Sequence, residues 1–342
     1  MLPTAGDFVL DRKSKRIGIK SALMEYAALQ RGLQVTRQNS MVIVASDDDV
    51  QLGFRQMNGM LSSQVGRFFC DRKEQGRERL SAAGIVVTPS RLFGWKDRDK
   101  AWAYAQTLGG ESVVKPTTMA RGRGITTKIS TAEQFNAAWE RAFNAYRTPE
   151  RANVLVEKQI AGEDYRFYVI GDRIVFCTHR KRANVTGDGE STLLELIEAK
   201  NKIRFQNPYL RDYLLPTSIS ELDRLPLYGW TVDHIPAAGE EVELRGASNL
   251  SAGGDSIDCT DEMHPDYRDV VIQAVAAIPG MEYAGVDVIT PDITVAPTAE
   301  NHVVSEVEYS PAPITHFPSE GPFRDMTGEL LDYYLDRYRR DR

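Results

Sequence analysis

Several features that would place this chain in a familiar class of protein are missing from its sequence. It has no long apolar run of the kind that spans a membrane, and its N-terminus lacks the continuous apolar core of a signal peptide. Its three cysteines, Cys70, Cys177 and Cys259, show neither metal-ligand spacing nor the even number of a disulfide framework. These absences favour a soluble, cytoplasmic protein that works in a reducing compartment.

A strong excess of one charge is also missing. The 342 residues carry a net charge of −6 and give a pI of about 5.6, so there is no general electrostatic case for nucleic-acid binding. The chain is 42% hydrophobic and 26% charged, which is ordinary for a globular protein of two or three subdomains. The Walker phosphate loop, G-x-x-x-x-G-K-[ST], does not occur. Any phosphate site must therefore be built from other elements.

Helical periodicity and short apolar runs alternate along the chain. Helix patterns are found at residues 19–32, 73–83, 96–108, 131–146, 192–202, 265–278 and 328–342. Strand patterns are found at residues 41–46, 112–116, 153–157, 165–170, 173–180, 283–290 and 302–309. Ser130 to Glu133 has the form of a capping box, and the aromatic stripe behind it is expected to be core rather than a ligand platform. The mixture predicts an α+β or α/β enzyme.

A lysine and a basic glycine loop are the first chemical signal. Lys115 closes the apolar segment Val113–Pro116, and Arg121-Gly122-Arg123-Gly124 follows. A lysine neutralises phosphate oxygens, and glycines let backbone N–H groups approach them. A lysine at a strand end is usually just solvated, but the neighbouring basic loop favours an anion here. Glu157 to Ile160 and Asp164 then offer an adenine-binding hinge and a ribose acceptor, or simply a strand and a turn.

Acidic residues on two later strands are the second signal. Glu306 and Glu308 are two residues apart, so both side chains should leave the same face of a strand. Asp287 lies within the apolar segment Gly285–Ile289. Three converging carboxylates repel one another unless cations or protons intervene, and magnesium prefers such oxygen ligands. The alternative is a solvated acidic edge of a sheet.

Ordered motifs along most of the chain resemble the ATP-grasp superfamily. The similarity is specifically to the ATP-grasp module of cyanophycin synthetases and bifunctional glutathione synthetases, and it runs from about Ser21 to Met326. The motifs that carry it are RKE before AGI, VVKP with GRGI, VEKQIAGEDYRFYVI, ANVTGDGESTLLELI, VELRGASNLSAGGDSID, GVDVIT, EVEYSPAP and HFPSEGP.

This resemblance implies an ATP-grasp fold in three parts. Residues 1–70 would form an N-terminal α/β subdomain, residues 71–160 the central lid subdomain, and residues 161–342 the C-terminal catalytic subdomain with the metal-binding carboxylates. The 342 residues contain no counterpart of the domains fused to this module in either family, so we expect substrates that cannot simply be copied from them.

The resemblance also assigns roles to individual residues. Lys73 and Lys115 would contact phosphates under a lid made by Arg121, Gly122 and Gly124. Glu157, Lys158 and Ile160 would form the adenine hinge, and Asp164 would bind the ribose. Asp287, Glu306 and Glu308 would hold two magnesium ions, with Mn²⁺ as a substitute. The residues expected to face the acyl-phosphate and the acceptor are Arg180, Arg245, Asn249 and the Ser251–Gly254 turn.

Four positions depart from the family pattern. Glu308 stands where asparagine is usual, so the metal site carries an extra negative charge. Met119 and Arg121 occupy loop positions where glycine and histidine are usual, and Arg182 replaces a typical proline. The first departure would tune metal affinity or alter activity.

Together the motifs imply an ATP-dependent carboxylate–amine ligase. ATP would phosphorylate a carboxylate and an amine would attack the acyl-phosphate, releasing ADP and phosphate. The substrates would be amino acids or short peptides, with no nucleic acid or membrane partner, and homo-oligomerisation stays open. The alternatives are a small-molecule kinase on the same fold and a nucleotide-binding scaffold that has lost its chemistry.

Overall fold

The computed structural model describes residues 2–117, 124–148 and 152–340 of the chain, without the side chains of residues 174 and 175. The predicted loop residues Arg121 and Gly122 lie outside the described residues. The helices are α1 Ala5–Ser14, α2 Ile19–Gln30, α3 Gln64–Asp71, α4 Lys73–Ala82, α5 Arg98–Thr107, α6 Ala132–Asn144, α7 Leu193–Gln206, α8 Leu225–Tyr228, α9 Tyr267–Ala276 and α10 Met326–Arg340. None of the helices in these ranges combines the length and apolar composition that a membrane span requires.

The strands of the described ranges form four sheets. They are β1 Gln34–Arg37, β2 Val42–Ser46, β3 Gln51–Arg55, β4 Ser90–Gly94, β5 Ser112–Pro116, β6 Thr126–Ile129, β7 Asn153–Lys158, β8 Glu163–Ile170, β9 Arg173–Lys181, β10 Asn184–Thr186, β11 Glu241–Glu243, β12 Asp255–Asp258, β13 Tyr283–Thr290 and β14 Val303–Glu308. Their orders are β1-β2-β3, β4-β7-β5-β6, β12-β9-β8-β13-β14 and the pair β10-β11. The predicted mixture of helices and strands is confirmed.

The first sheet is completed by the far end of the chain. The amphipathic pattern of α10 predicts a docking or solvated face, and its apolar side packs against β2 and β3 in one core with Ile43 and Phe54. The Tyr334 hydroxyl accepts a 2.8 Å hydrogen bond from the Gly59 N–H. Burial of this aromatic face holds α10, the last helix, against β2 and β3 near the start of the chain.

The second sheet, β4-β7-β5-β6, is covered by α5 and α6. The predicted aromatic stripe of α6 is confirmed as core, because Phe135, Trp139 and Phe143 are fully buried. The capping box is one residue later than predicted: Thr131 caps the helix and Gln134 closes the box. This subdomain carries Lys115 at the end of β5 and Glu157 near the end of β7.

The five-stranded antiparallel sheet has two unlike faces. Phe167, Val286 and Val307 belong to an apolar core that includes α9. Alternation places the polar side chains of β8, β9, β13 and β14 on the opposite face. The hairpin predicted at Gly171 is confirmed, with a φ of 61° at that glycine. The charged face is where the predicted catalytic residues lie.

A β-bulge interrupts β14 at Ser305, between Val304 and Glu306. Val288 pairs with Val304 but Asp287 pairs with Glu306, so Ser305 is an extra residue. Because of this insertion, Val304 and Val307 both lie in the apolar core although they are three residues apart. Glu306 and Glu308 share the other face, as their spacing predicts.

Candidate active site

Two cations meet one carboxylate where the second sheet faces α4. Lys115 Nζ lies 2.7 Å from Glu157 Oε1, and Arg77 Nη1 lies 2.8 Å from Glu157 Oε2. All three side chains are buried. Burial alone would raise the pKa of Glu157, but Lys115 and Arg77 outweigh it and hold that pKa at about 2. We call these three residues the Lys115 cluster, which has a formal charge of +1.

Arg77 was missed by the sequence analysis. It lies four residues after Lys73 on α4, so both side chains project from one helix face. Its guanidinium also donates to Ser90 Oγ at 2.8 Å and to the Ser305 carbonyl at 3.1 Å. The spacing of four residues from Lys73 is the sequence feature that could have indicated Arg77. Arg77 therefore ties the second sheet to the bulge of β14.

A second ionic cluster lies on the charged face of the five-stranded sheet. Arg166 donates two hydrogen bonds of 2.5 and 2.7 Å to Asp287, and it also forms a salt bridge with Glu308. Arg180 donates to Asp287 at 2.7 Å and to both oxygens of Asp164 at 2.8 Å. We call these five residues the Asp287 cluster. Its three carboxylates outnumber its two guanidiniums, so its formal charge is −1.

Asp287 stays ionised although it is almost fully buried. Burial pushes the pKa of Asp287 up, but Arg166 and Arg180 hold it at about 2. Arg166 was not among the predicted site residues. It lies opposite Asp287 because β8 pairs with β13, and this pairing is not visible in the sequence. A residue directly opposite a strand carboxylate could have been found only once the strand order was known.

Lys73 joins the two clusters. Its ammonium pairs with Glu306, whose strand neighbour across the ladder is Asp287. Burial and the nearby Lys115 lower the pKa of Lys73 to about 8, against the opposing effect of the carboxylates. A lysine with this pKa is mostly protonated at neutral pH and sensitive to a new anion nearby.

The loop between β11 and β12 touches the site through an unpredicted residue. Ser248 Oγ donates to Asp164 Oδ2 at 2.6 Å. The predicted Arg245 instead donates to the Ala252 carbonyl at 3.3 Å, and its Nε has no hydrogen-bond partner within the described residues. Asn249 begins a short 3₁₀ turn that ends at Gly253. The structure thus places Arg245 and Asn249 in the loop that reaches Asp164, without a direct bond from either to the Asp287 cluster.

The predicted hinge residues lie at the end of β7. The Lys158 backbone N–H donates to the Pro89 carbonyl at 3.0 Å, and the Ile160 carbonyl accepts from the Gln159 side chain at 3.1 Å. Gly124 is described and has a φ of 78°. A Cβ at Gly124 would lie 2.8 Å from Pro116 Cγ, so a side chain there would push against the residue next to Lys115.

The three predicted metal ligands are neighbours on β13 and β14 but do not converge. Across the described residues, no three Asp, Glu, His or Cys side chains stand close enough to share a metal ion. The protein's own cations intervene instead: Asp287 faces Arg166 and Arg180, and Glu306 faces Lys73. In donor chemistry and strand placement these carboxylates fit magnesium, because hard oxygen ligands are what it prefers.

The order of the sheets and this charged site define the class of the protein. The chain has the ATP-grasp fold, as its motifs predict. It is 33% identical over 326 residues to the glutathione biosynthesis bifunctional protein GshAB of Mannheimia succiniciproducens, covering 91% of this chain and 41% of that relative. It is 32% identical over 346 residues to the cyanophycin synthetase of Geminocystis herdmanii, covering 96% of this chain and 39% of that relative.

Solved structures agree at the level of the fold. The bifunctional glutathione synthetase from Pasteurella multocida superposes with a TM-score of 0.69 at 28% identity, over 94% of this chain and 44% of that chain. The D-alanine–D-alanine ligase from Bacillus anthracis shares the fold alone, with a TM-score of 0.50 at 14% identity over 82% of this chain and 72% of that chain. No model of a known protein family matches the chain. The chain spans about two fifths of the length of the curated relatives it matches.

Proposed function

We propose that the chain is an ATP-dependent carboxylate–amine ligase that joins amino acids or short peptides through an acyl-phosphate. The observation that carries this proposal is the pair of ionic clusters with opposite formal charge, bridged by Lys73 and Glu306. A site for a nucleotide and its metal needs surplus positive charge at the phosphates and surplus negative charge at the cation. The similarity to a glutathione biosynthesis protein and a cyanophycin synthetase supports amide-bond formation.

In this proposal the Lys115 cluster binds the phosphates. ATP-grasp ligases use ATP and Mg²⁺. Lys115 and Lys73 would neutralise phosphate oxygens while Glu157 holds Lys115 in place. Glu157, Lys158 and Ile160 would line the adenine through the end of β7, and Gly124 with the loop before it would cover the phosphates. Closure of that loop would keep water away from an acyl-phosphate until the amine arrives.

The Asp287 cluster would hold the metal side of the site. Asp287, Glu306 and Glu308 would bind Mg²⁺, which supplies charge neutralisation when bound. Arg180 would steady the developing acyl-phosphate, and its hydrogen bonds to Asp164 and Asp287 support this role. Asp164 accepts from Arg180 and Ser248, so a ribose hydroxyl would have to share its remaining lone pairs. Arg245 and Asn249 would approach the substrates from the neighbouring loop.

We keep the division at residues 1–70, 71–160 and 161–342 as the proposed working units. The middle unit would move as the lid, since it carries Lys115 on its own sheet. The first unit shares its hydrophobic core with α10. Residue 70 therefore marks a boundary in the sequence but does not separate two hydrophobic cores.

A substrate-pair screen tests the proposal. The full chain is incubated with ATP, Mg²⁺ and pairs of carboxylates and amines drawn from the common amino acids and their dipeptides, and ADP release is followed. The ligase requires both substrates, and a donor labelled with ¹⁸O in its carboxylate should pass one label to phosphate. Turnover with a single hydroxyl or carboxylate acceptor and no amine would support the kinase instead. AMP and pyrophosphate as products would overturn the mechanism.

A further inference from the structure

Two of the three cysteines meet in the apolar core of the five-stranded sheet. Cys177 lies in β9, and Cys259 directly follows β12. The Cys259 thiol donates to the Cys177 sulfur over a distance of 3.4 Å. Both residues belong to the core that includes α9, whereas Arg180, three residues after Cys177, bonds to Asp287 on the charged face. The pair is therefore separate from the proposed active site, and the proposed function does not use it.

The backbone holds the two cysteines opposite each other. Asp258 pairs with Thr178 in the last step of the β12–β9 ladder, and the next N–H, that of Cys259, donates to the Cys177 carbonyl at 3.1 Å. Residues directly opposite in an antiparallel pair have Cα atoms about 4.5–5.5 Å apart, which lies within the range of disulfide-linked cysteines. The two sulfurs would have to approach by roughly 1.4 Å to reach bonding distance. The sheet therefore already has the backbone arrangement of a cross-strand disulfide.

The closed sheet keeps both thiols from reacting quickly. Both residues are buried, and burial, together with the neighbouring Cys259 thiol, raises the pKa of Cys177 well above its ordinary value. The thiolate is the form that reacts with oxidants, so a closed sheet offers very little of the reactive species. An oxidant would therefore reach the pair when part of the sheet opens.

The strand whose opening would expose Cys259 is β12. It has four residues and stands at one end of the strand order β12-β9-β8-β13-β14. Short strands at a sheet edge open at a lower free energy than central strands. Cys259 also begins a turn, since its carbonyl accepts from the N–H groups of Glu262 and Met263, and Glu262 is exposed. Cys259 would thus react first, while Cys177 stays within the sheet on β9.

We propose that Cys177 and Cys259 form a reversible modification site, at which a peroxide oxidises the two thiols to a disulfide that fastens β12 to β9. The Cys259 thiolate attacks one oxygen of the peroxide, the O–O bond breaks, and Cys259 becomes a sulfenic acid. The Cys177 sulfur then attacks the Cys259 sulfur, the S–O bond breaks, and the S–S bond forms as water leaves. With hydrogen peroxide, the two thiols lose two electrons and two protons, and the peroxide becomes two molecules of water. A thiol reductant reverses the change by exchange.

Peptide mapping of the oxidised full chain tests the site. Each cysteine lies on its own tryptic peptide: residues 68–72 hold Cys70, residues 174–180 hold Cys177, and residues 246–268 hold Cys259. The folded protein is treated with hydrogen peroxide, its remaining thiols are alkylated in denaturant, and the digest is analysed by mass spectrometry without reductant. We expect the second and third peptides to be linked and dithiothreitol to separate them. Cys70→Ala should form the same link, and Cys259→Ala should form none. Full recovery of both alkylated thiols after prolonged treatment, a sulfinic acid at Cys259 beside an unlinked Cys177, or a link that involves Cys70 would overturn the proposal.

A melting curve shows whether the bond fits the closed sheet. The cysteines are 82 residues apart in sequence, so linking them restricts the unfolded chain and should raise the melting temperature of the oxidised wild type by several degrees. Oxidised Cys70→Ala should show the same rise over its reduced form, and Cys177→Ala, treated in the same way, should show none. A linked wild type whose melting temperature is unchanged or lower would mean that the disulfide does not fasten the native strands, and would contradict the proposal. Neither measurement needs a substrate, and the wild type alone decides both if an alanine variant fails to fold.

Discussion

The Lys115 cluster and the Asp287 cluster are built from the same kinds of side chain in opposite proportion. In the first, two cations share the carboxylate of Glu157, and in the second, Arg166 and Arg180 serve three carboxylates. The whole first cluster is buried, and so are Arg166 and Asp287 at the centre of the second, whereas Asp164, Arg180 and Glu308 are partly exposed. Water therefore screens the charges at the two centres less than it would screen surface charges. The first is suited to an anion and the second to a cation.

The difference teaches that charge balance, rather than residue type, distinguishes the two halves of the site. A structural ion network elsewhere in the chain sets a limit to this conclusion. Asp255 is paired with both Lys200 and Arg204, which is the charge balance of the Lys115 cluster, yet the network ties α7 to β12 rather than opening on a site between subdomains. Lysine beside a buried carboxylate is therefore not enough to indicate a phosphate site. The contact between Lys73 and Glu306, which joins the two opposite surpluses, is the distinguishing feature.

The largest expected effect comes from removing a carboxylate at the point where the clusters meet. Glu306→Gln keeps the shape of the side chain and should lower turnover about a thousandfold, because metal charge stabilisation contributes several kcal/mol. The assay follows ADP release at limiting Mg²⁺. The exposed Glu300→Gln is the control and should behave as wild type. Normal turnover of Glu306→Gln under these conditions would mean that the metal site is elsewhere.

Removing the surplus cation of the first cluster should act on nucleotide affinity. Lys115→Met leaves Glu157 paired with Arg77 and should weaken ATP binding by about 1.5–3 kcal/mol, one to two decades, through loss of a charge-assisted phosphate contact. Calorimetry measures the affinity, and a melting curve checks the fold. Lys200→Met, which breaks an ion pair outside the site, is the matched control and should leave ATP affinity unchanged. Equal affinities for both variants would remove Lys115 from the phosphate site.

The bridging lysine should make nucleotide binding depend on pH. The pKa of Lys73 is about 8, so its positive charge is present at pH 7 and lost as the pH rises through 8. A bound phosphate favours the protonated form, and ATP affinity should therefore be about tenfold lower at pH 9 than at pH 7.5. Calorimetry in buffers of different ionisation enthalpy should show proton uptake on binding near pH 9. Lys73→Met should have weaker binding but a flat profile over this range. A persistent slope in that variant would assign the titration to another group.

The smallest effect is expected where this chain departs from the family pattern. Glu308→Asn removes one of the three carboxylates of the Asp287 cluster and brings its formal charge to zero. Turnover should persist, with a Mg²⁺ requirement raised severalfold because the site attracts the cation less strongly. Magnesium titrations of ADP release measure this, with Glu300→Gln again as control. Complete loss of turnover would make Glu308 as important as Glu306 and would blur the contrast between them.

Most of the fold could be predicted because its signals are local. Periodicity located α4, α6 and α9, and the apolar runs located β5, β7 and β13 to within about two residues. The short polar strand Gln34–Arg37 and the strand Gln51–Arg55 were missed, since four or five residues with few apolar side chains carry little pattern. The capping box was placed one residue early because Ser130 and Thr131 both suit an N-cap.

The candidate site was harder to predict, for a physical reason. Lys115, Glu157 and Asp287 were singled out by motif, but their partners Arg77 and Arg166 lie 80 and 121 residues away in sequence from the carboxylates they neutralise. A buried ion pair between distant strands or subdomains produces no pattern within a short stretch of sequence. The expectation that the three acids converge on a metal was incomplete for the same reason: it could not include Lys73, Arg166 and Arg180, which face them.

The bulge at Ser305 bears on how this strand could change in length during evolution. Deleting that residue would leave Val-Glu-Val-Glu, a perfectly alternating strand with its valines still directed at the core and its glutamates at the site. The carbonyl that receives Arg77 would be lost. Two descendants, one with the residue and one without, would then look equivalent by hydrophobic pattern. They would differ in whether Arg77 of α4, the helix that carries Lys73, still bonds to β14, the strand that carries the glutamates. Without that bond, the positions of α4 and β14 could change independently of each other.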